Sequence, residues 1–344
     1  MSSNILGSKY PIIQTAMGWV ATPELVAATS NAGAFGFLAL ATVSADEAGK
    51  LIHQTKSLTD KPFGVNFHMF QPGADRIVKL VIENKIKAVS YSRAPVPEYI
   101  ELFKQNNILC IPTVGALKHA IKAEKLGADA LVVQGSEGGG HTGETPTTLL
   151  LSSVLSKVGI PIFAAGGFKD GYGLAAALVW GAQGIAMGTR FMLTEESPVP
   201  KKTKDAYLNA EVEEIKVTKK FDGLPHRLIF NDFIKSIDKS NPIKLFFISL
   251  RSALKYKKLS NAKFSEVFKS FFAMLRGDDL TIAQTIMSAN SPAIIQRAMV
   301  EGNPDHGAMP SGQVAGVIDS TPSCQNLIHA IMDQYNDAIS NLSK

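Results

Sequence analysis

Short apolar runs alternate with longer helical patterns along the first two-thirds of the chain, and this alternation restricts the fold more than any other feature. Eight runs are apolar along most of their length, as strands covered on both faces must be. They span residues 12–15, 35–39, 63–66, 88–91, 109–113, 130–134, 161–165 and 184–187. Strand–helix units of this kind pair in parallel, and eight of them within about 200 residues predict a closed (β/α)₈ barrel, the TIM barrel.

The pattern changes after the eighth run. Residues from about 200 to 300 carry more charge and read as helical, with a short apolar helix at 245–250 and a stripe at helical spacing that includes Phe264, Phe268 and Phe271. From residue 304 onward the sequence reads as a return to the barrel. We therefore predict an α/β chain in which residues 1–205 and 305–344 form the TIM barrel and residues 206–304 form an inserted, mainly helical second domain.

Composition excludes several classes of protein. No apolar run approaches the roughly 20 residues that cross a bilayer, and the N-terminus lacks the pattern of a signal peptide. Cys110 and Cys324 are the only cysteines and have no CxxC spacing, so we expect a cytoplasmic protein without a structural metal site. The net charge of +5 is concentrated near residues 235–269 without a recognition motif, so we expect no nucleic-acid partner.

Two glycine-containing turns follow the last two predicted strands. Ala165 is followed by Gly166 and Gly167, and Met187 is followed by Gly188 and Thr189. Glycines let backbone N–H groups approach an anion closely, and the loops after strands seven and eight are the recurrent phosphate site of such barrels. These two turns therefore predict a phosphate-binding site.

Residues suited to a planar ring follow other strands. Ala16, Met17 and Gly18 come directly after the first strand and offer a small, flexible surface. Asn66 ends the third strand and Gln134 ends the sixth, and each side chain can offer both a donor and an acceptor to the edge of a ring. A core methionine, a turn cap or a core hydrogen bond would explain each of these residues taken alone.

A glycine-rich loop after the sixth strand ends in a histidine. It contains Gly139 and Gly140 and then His141, and the glycines let the chain turn tightly and present one imidazole at the end of the barrel where active sites lie. Histidine exchanges protons near neutral pH, so we predict that His141 is a general acid or base. Glu137 in the same loop is predicted to have a structural role.

As a set, these motifs resemble the nitronate monooxygenase family, formerly called 2-nitropropane dioxygenase, which is related to the flavin-containing enoyl-ACP reductase II enzymes. The resemblance covers residues 10–190 and a further motif at 310–313. It implies non-covalent FMN, with the phosphate at Gly166, Gly167, Gly188 and Thr189. It also implies an isoalloxazine ring near Ala16, Met17, Gly18, Asn66 and Gln134, with His141 facing the substrate.

Three hypotheses for the function stay open, the first two within the resemblance. The first is oxidation of alkyl nitronates with O₂ to carbonyl compounds and nitrite. The second is an NAD(P)H-dependent reductase of an enoyl-ACP, enoyl-CoA or quinone substrate at the same FMN site, which the basic stretch favours because acyl carriers and CoA are acidic. The third, from another class, is a phosphosugar-type barrel enzyme or a non-catalytic phosphate-binding barrel without flavin. The sequence does not show whether two barrels pair as a homodimer.

Overall fold

The structure is a computed structural model that describes residues 5–91, 95–240 and 282–342, with the backbone alone for 282–290. The predicted apolar helix at 245–250 and the predicted stripe around Phe264 lie outside the described residues. Contacts divide the chain into two compact units. The first combines residues 1–138, 143–198 and 318–344, and the second combines 139–142 with 199–317. The second unit takes in the predicted insertion, residues 206–304, and extends beyond it at both ends.

Strands and helices alternate along most of the first unit. The strands of the described chain are β1 (Ile12–Gln14), β2 (Phe35–Ala39), β3 (Gly64–Asn66), β4 (Ala88–Ser90), β5 (Leu109–Cys110), β6 (Thr113–Val114), β7 (Leu131–Gln134), β8 (Gly140–His141), β9 (Ile162–Ala165), β10 (Gly184–Met187), β11 (Ile215–Thr218) and β12 (His226–Ile229). The helices are α1 (Pro23–Asn31), α2 (Ala45–Leu58), α3 (Ala74–Glu83), α4 (Pro97–Gln105), α5 (Leu117–Lys125), α6 (Thr147–Leu155), α7 (Gly171–Val179), α8 (Thr189–Met192), α9 (Lys201–Leu208), α10 (Asp232–Asp238), α11 (Ile282–Met299) and α12 (Cys324–Leu342). Short 3₁₀ turns lie at Val212–Glu214, Pro304–His306 and Gln313–Val317.

The first unit is a TIM barrel, as the sequence predicts. Its parallel strands lie in the order β5-β4-β3-β2-β1-β10-β9-β7-β6. The predicted fifth strand is divided into β5 and β6, and the two pieces serve opposite neighbours: β5 pairs with β4 and β6 pairs with β7. Between them, the Ile111 N–H donates to Val89 and the carbonyl of Pro112 accepts from Val132. The ring of strands therefore closes through one stretch of chain.

Two of the apolar clusters among the described residues show how the barrel is packed. One consists mainly of side chains from the strands themselves, including Ile13, Phe35 and Phe163, and fills the interior. The other joins outward-facing strand residues to helices α2, α3 and α4, for example Val65 to the helix residue Ile77. Side chains that alternate between these cores explain why the predicted strands are apolar throughout.

The second unit contains a small antiparallel sheet in the order β11-β12-β8. The prediction that this part of the chain is helical is therefore wrong for residues 215–218 and 226–229. Phe221, Leu228 and Ile234 form a core with Ile294 and Ala308, so burial against the following helices stabilises these short strands. Among the helices that the structure describes, none combines the length and the apolar character needed to cross a bilayer.

Candidate active site

The carboxyl ends of the barrel strands carry the predicted ligand-binding residues of the first unit. All strands of the barrel run in parallel, so their carboxyl ends lie at the same end of the barrel, where active sites of this fold are built. The residues in question are Ala16, Met17, Gly18, Asn66, Gln134, Ala165, Gly166, Gly167, Met187, Gly188 and Thr189. Gly139, Gly140 and His141, which follow in the loop after β7, belong to the second unit.

The turns after β9 and β10 need glycine for different reasons. Gly166 and Gly167 have φ values of +97° and +83°, which is left-handed backbone that side chains rarely adopt. A Cβ atom on Gly188 would lie 3.0 Å from Oγ1 of Thr15 and 3.4 Å from Sδ of Met17. The loop after the first strand therefore packs against the turn after the last strand. Exposed glycine backbone of this kind suits the close approach of a phosphate group.

The amide side chains at the strand ends are held by their neighbours. Nδ2 of Asn66 donates to the carbonyl of Ser90 at 3.1 Å, which fixes the orientation of the carboxamide. A Cβ atom on Gly138 would lie 2.6 Å from the carboxamide of Gln134, so this glycine packs directly on the Gln134 side chain. Both amides thus lie at the carboxyl ends of barrel strands, with Asn66 held by a hydrogen bond and Gln134 packed against Gly138.

Glu137 caps helix α6. Its carboxylate accepts a hydrogen bond of 3.0 Å from the backbone N–H of Thr147 and one of 2.7 Å from the Thr147 hydroxyl. A carboxylate at this position also interacts favourably with the positive end of the helix dipole. The geometry gives Glu137 the structural role that the sequence indicates.

His141 lies on β8 in the second unit, where it pairs in register with His226 of β12. Nε2 of His141 is 2.9 Å from Oδ2 of Asp222, and Nδ1 of His226 is 2.7 Å from the same oxygen. The two rings lie 4.6 Å apart between centroids. The His141 side chain is 52% exposed, whereas those of Asp222 and His226 are 3% and 5% exposed. The cluster therefore presents one accessible imidazole supported by a buried carboxylate.

Burial and hydrogen bonding act in opposite directions on this cluster. Burial alone would raise the pKa of Asp222, but the hydrogen bonds from His141 and His226 and their charges outweigh it and hold that pKa below its ordinary value. Burial lowers the pKa of His226, and this effect exceeds the opposing influence of Asp222. At neutral pH the cluster thus contains an ionised carboxylate and a neutral buried imidazole.

The sequence did not point to Asp222 or His226 as partners of His141, and it predicted no structural metal site. The donor atoms of His141, Asp222 and His226 lie within 4.8 Å of one another, a spacing that could hold a metal ion. The one signal in the sequence is local: Asp222 and His226 flank a Gly-Leu-Pro turn. Their approach to His141, 81 residues earlier, depends on the pairing of β8 with β12.

The first unit has the fold of the TIM-barrel enzymes. The sequence model of the family described as nitronate monooxygenase matches residues 1–77 and 68–334. The chain belongs to the nitronate monooxygenase family.

Named relatives differ in the activities that they carry. The chain is 46% identical over 330 residues, covering 96% of this chain and 94% of the relative, to a (3aS,4S,5R,7aS)-5-hydroxy-7a-methyl-1-oxo-octahydro-1H-indene-4-carboxyl-CoA dehydrogenase of Rhodococcus jostii. A protein of the same name from Mycobacterium tuberculosis is 44% identical over 343 residues, covering 99% of this chain and 96% of the relative. Among solved structures, FabK from Thermotoga maritima is similar with a TM-score of 0.79 and 31% identity, covering 98% of this chain and 96% of that chain.

Proposed function

We propose that this protein is an FMN-dependent dehydrogenase of an alicyclic carboxyl-CoA thioester that bears a hydroxyl group on the neighbouring ring carbon. The observation that carries the choice of substrate is the 46% identity, along almost the whole chain, to a protein whose name places a 5-hydroxyl beside a 4-carboxyl-CoA group. This identity extends over 96% of the chain and therefore across both units.

FMN fits the residues of the first unit. Gly166 and Gly167 have left-handed backbone and no side chain that would obstruct the approach of a phosphate group. Gly188 packs on Thr15 and Met17. In our proposal these turns hold the phosphate, whereas Asn66 and Gln134 bond the edge of the ring. Bound FMN supplies the acceptor of the two electrons that a dehydrogenation releases.

His141 is the proton-transfer residue of the proposal. In a hydroxylated thioester of this kind the hydride leaves from the carbon that bears the hydroxyl group. The proton leaves either from the hydroxyl or from the carbon next to the thioester, and both routes give the same β-keto thioester or its enol. An accessible imidazole beside an ionised Asp222 suits removal of that proton, because the carboxylate stabilises the imidazolium that forms.

The charge of the chain supports an acidic substrate. Residues 235–269 contain nine lysines or arginines and two acidic residues. Coenzyme A carries several phosphate groups, so a basic stretch favours its approach over that of a small neutral substrate.

Nitronate oxidation is the second candidate, because the family whose sequence model matches the chain is described by that activity. Anaerobic reduction of the bound flavin separates the candidates. We expect rapid bleaching by 2-hydroxycyclohexane-1-carboxyl-CoA and slow bleaching by the free hydroxy acid. Rapid bleaching by propyl-2-nitronate or NADH, with none by the thioester, would overturn the proposal, and colourless protein as purified would exclude a flavin enzyme.

A variant tests the role of His141. We expect His141→Ala to retain FMN and to lose roughly 10²–10⁴-fold in the rate of flavin reduction by substrate, the usual contribution of a general acid or base. An unchanged rate would assign His141 a structural role.

A further inference from the structure

The two carboxylate oxygens of Asp222 have separate partners. Oδ1 is 3.3 Å from the backbone N–H of Leu224 and accepts its hydrogen bond, which ties the side chain to its own turn. Oδ2 is directed at Nε2 of His141 and Nδ1 of His226. The carboxylate is therefore locked by its turn and presents one oxygen to two imidazoles.

An ionised carboxylate can only accept hydrogen bonds, so each ring nitrogen that bonds it must carry a hydrogen. In His141 that nitrogen is Nε2, which leaves the lone pair of the neutral ring on Nδ1. In His226 it is Nδ1, and the lone pair is on Nε2. The position of one oxygen atom thus selects the tautomers of both histidines.

His226 is suited to hold Asp222 in place by a hydrogen bond rather than to act as a second general base. It is 4% exposed, and its Nε2 has no hydrogen-bond partner among the residues that the structure describes. A second proton would place an unpaired N–H in the interior, which is unfavourable. The ring of Phe221 packs edge-on against His226 at 5.2 Å between centroids. Because His226 stays neutral, the charge of Asp222 remains available to His141.

We propose that Asp222, held in place by His226, is the positioning residue of the active site: it fixes His141 with hydrogen on Nε2 and makes Nδ1 the atom that takes up and returns the proton of the substrate. The tautomer is a property of the cluster itself. Only the statement that the proton comes from substrate rests on the proposed function.

The tautomer is measured directly by long-range ¹H–¹⁵N NMR of the flavin-loaded protein labelled with ¹⁵N-histidine. The signals of His141 are assigned by their loss in His141→Gln. In the wild-type protein, in its neutral form, we expect a protonated Nε2 and an unprotonated Nδ1. The opposite assignment would overturn the proposal without the need for any further variant.

Asp222→Asn tests the cause. We expect a mixture of His141 tautomers, a loss of roughly 10²–10⁴-fold in kcat and a KM within a few-fold of wild type, because the wrong tautomer affects proton transfer more than binding. Asp232→Asn is the matched control, since Asp232 belongs to the same unit and its side chain is 99% exposed. An unchanged tautomer in Asp222→Asn would contradict the proposal.

Two further results separate the possible failures. If the tautomer is as expected but the thioester does not reduce the flavin, the proposed function fails and the positioning role stands. If the purified protein holds one equivalent of a transition metal that is lost in His226→Gln, the cluster is a metal site and the positioning role is wrong.

Discussion

Gly139 packs against Ser311 so closely that a Cβ atom on Gly139 would lie 2.6 Å from the carbonyl carbon of Ser311. The amide nitrogen of Gly312 would be 2.5 Å away, and backbone atoms cannot move aside as the end of a side chain can. The glycine loop before His141 and the motif at 310–313, both noted in the sequence, therefore meet in the second unit. The contact requires a glycine at position 139 independently of any ligand.

Alanine substitutions at Gly139 and Gly140 distinguish the effect of this close contact on stability from the effect of backbone strain. Gly140 has φ = +72° and open space around its missing Cβ. Gly140→Ala should lower the free energy of unfolding by about 1 kcal/mol through strain alone, and Gly139→Ala, at a position without positive φ, by a larger amount of roughly 2–3 kcal/mol through overpacking alone. Urea denaturation of both variants measures the difference, and equal losses would contradict the packing argument.

The neutral, buried His226 makes stability depend on pH. Because burial lowers the pKa of His226 in the folded protein, the unfolded chain takes up a proton below about pH 6.5 that the folded protein does not. The free energy of unfolding should therefore fall by about 1.4 kcal/mol for each pH unit below that value, until the folded pKa is reached. Above about pH 6.5 this contribution is zero.

Denaturation between pH 5 and 8 measures this slope, with His226→Gln as the variant that should lack it. His329→Gln, at an exposed position on α12, is the control that should keep the wild-type slope. Identical slopes in the wild type and in His226→Gln would show that His226 takes up its proton equally in the folded and unfolded states.

The contribution of the Glu137 cap of helix α6 to the free energy of unfolding can be measured. Glu137→Ala should lower the free energy of unfolding by roughly 1–2 kcal/mol, because it removes charge-assisted hydrogen bonds to the backbone N–H and the hydroxyl of Thr147. A double-mutant cycle with Thr147→Ala isolates the part due to the hydroxyl, which we expect to be about 1 kcal/mol. Strict additivity of the two losses would mean that the hydrogen bond between Glu137 and the hydroxyl contributes nothing.

Charge at position 167 tests the proposed phosphate site. A Cβ atom on Gly167 would meet only the side chain of Glu137, at 3.8 Å, so alanine and aspartate there share the same strain at φ = +83°. Gly167→Asp should bind FMN at least about tenfold more weakly than Gly167→Ala, since it adds a like charge beside the phosphate. Fluorescence titration of FMN measures both dissociation constants, and equal values would place the phosphate elsewhere.

The barrel could be predicted from sequence because its strands are largely buried on both faces and most of them are followed by a helix. All eight predicted runs contain strands, with ends that differ by at most one residue. The division of the fifth run could not be predicted, because its apolar character is continuous through Ile111 and Pro112. It arises because the two halves of that run bond different neighbours.

The second unit was harder to predict for a physical reason. Ile215 and Thr218 are buried while Lys216 and Val217 between them are exposed, so β11 lacks the two-residue alternation that marks a half-buried strand. Strand β8 has only two residues and exists because β12 pairs with it. His141 could be predicted as a candidate from its loop, whereas Asp222 could not, because its contact with His141 depends on a long-range register.

The second unit is built from two separate segments of the chain, and this affects how substrate specificity can be transferred between members of the family. Residues 139–142 belong to that unit although they are encoded between two barrel strands. A chimera that exchanged only 199–317 with a relative would combine a native His141 with a foreign carboxylate and a foreign supporting histidine. Segments 139–142 and 199–317 belong to one compact unit. We therefore expect a chimera to acquire the substrate preference of the relative, with proton transfer intact, only when both segments are exchanged.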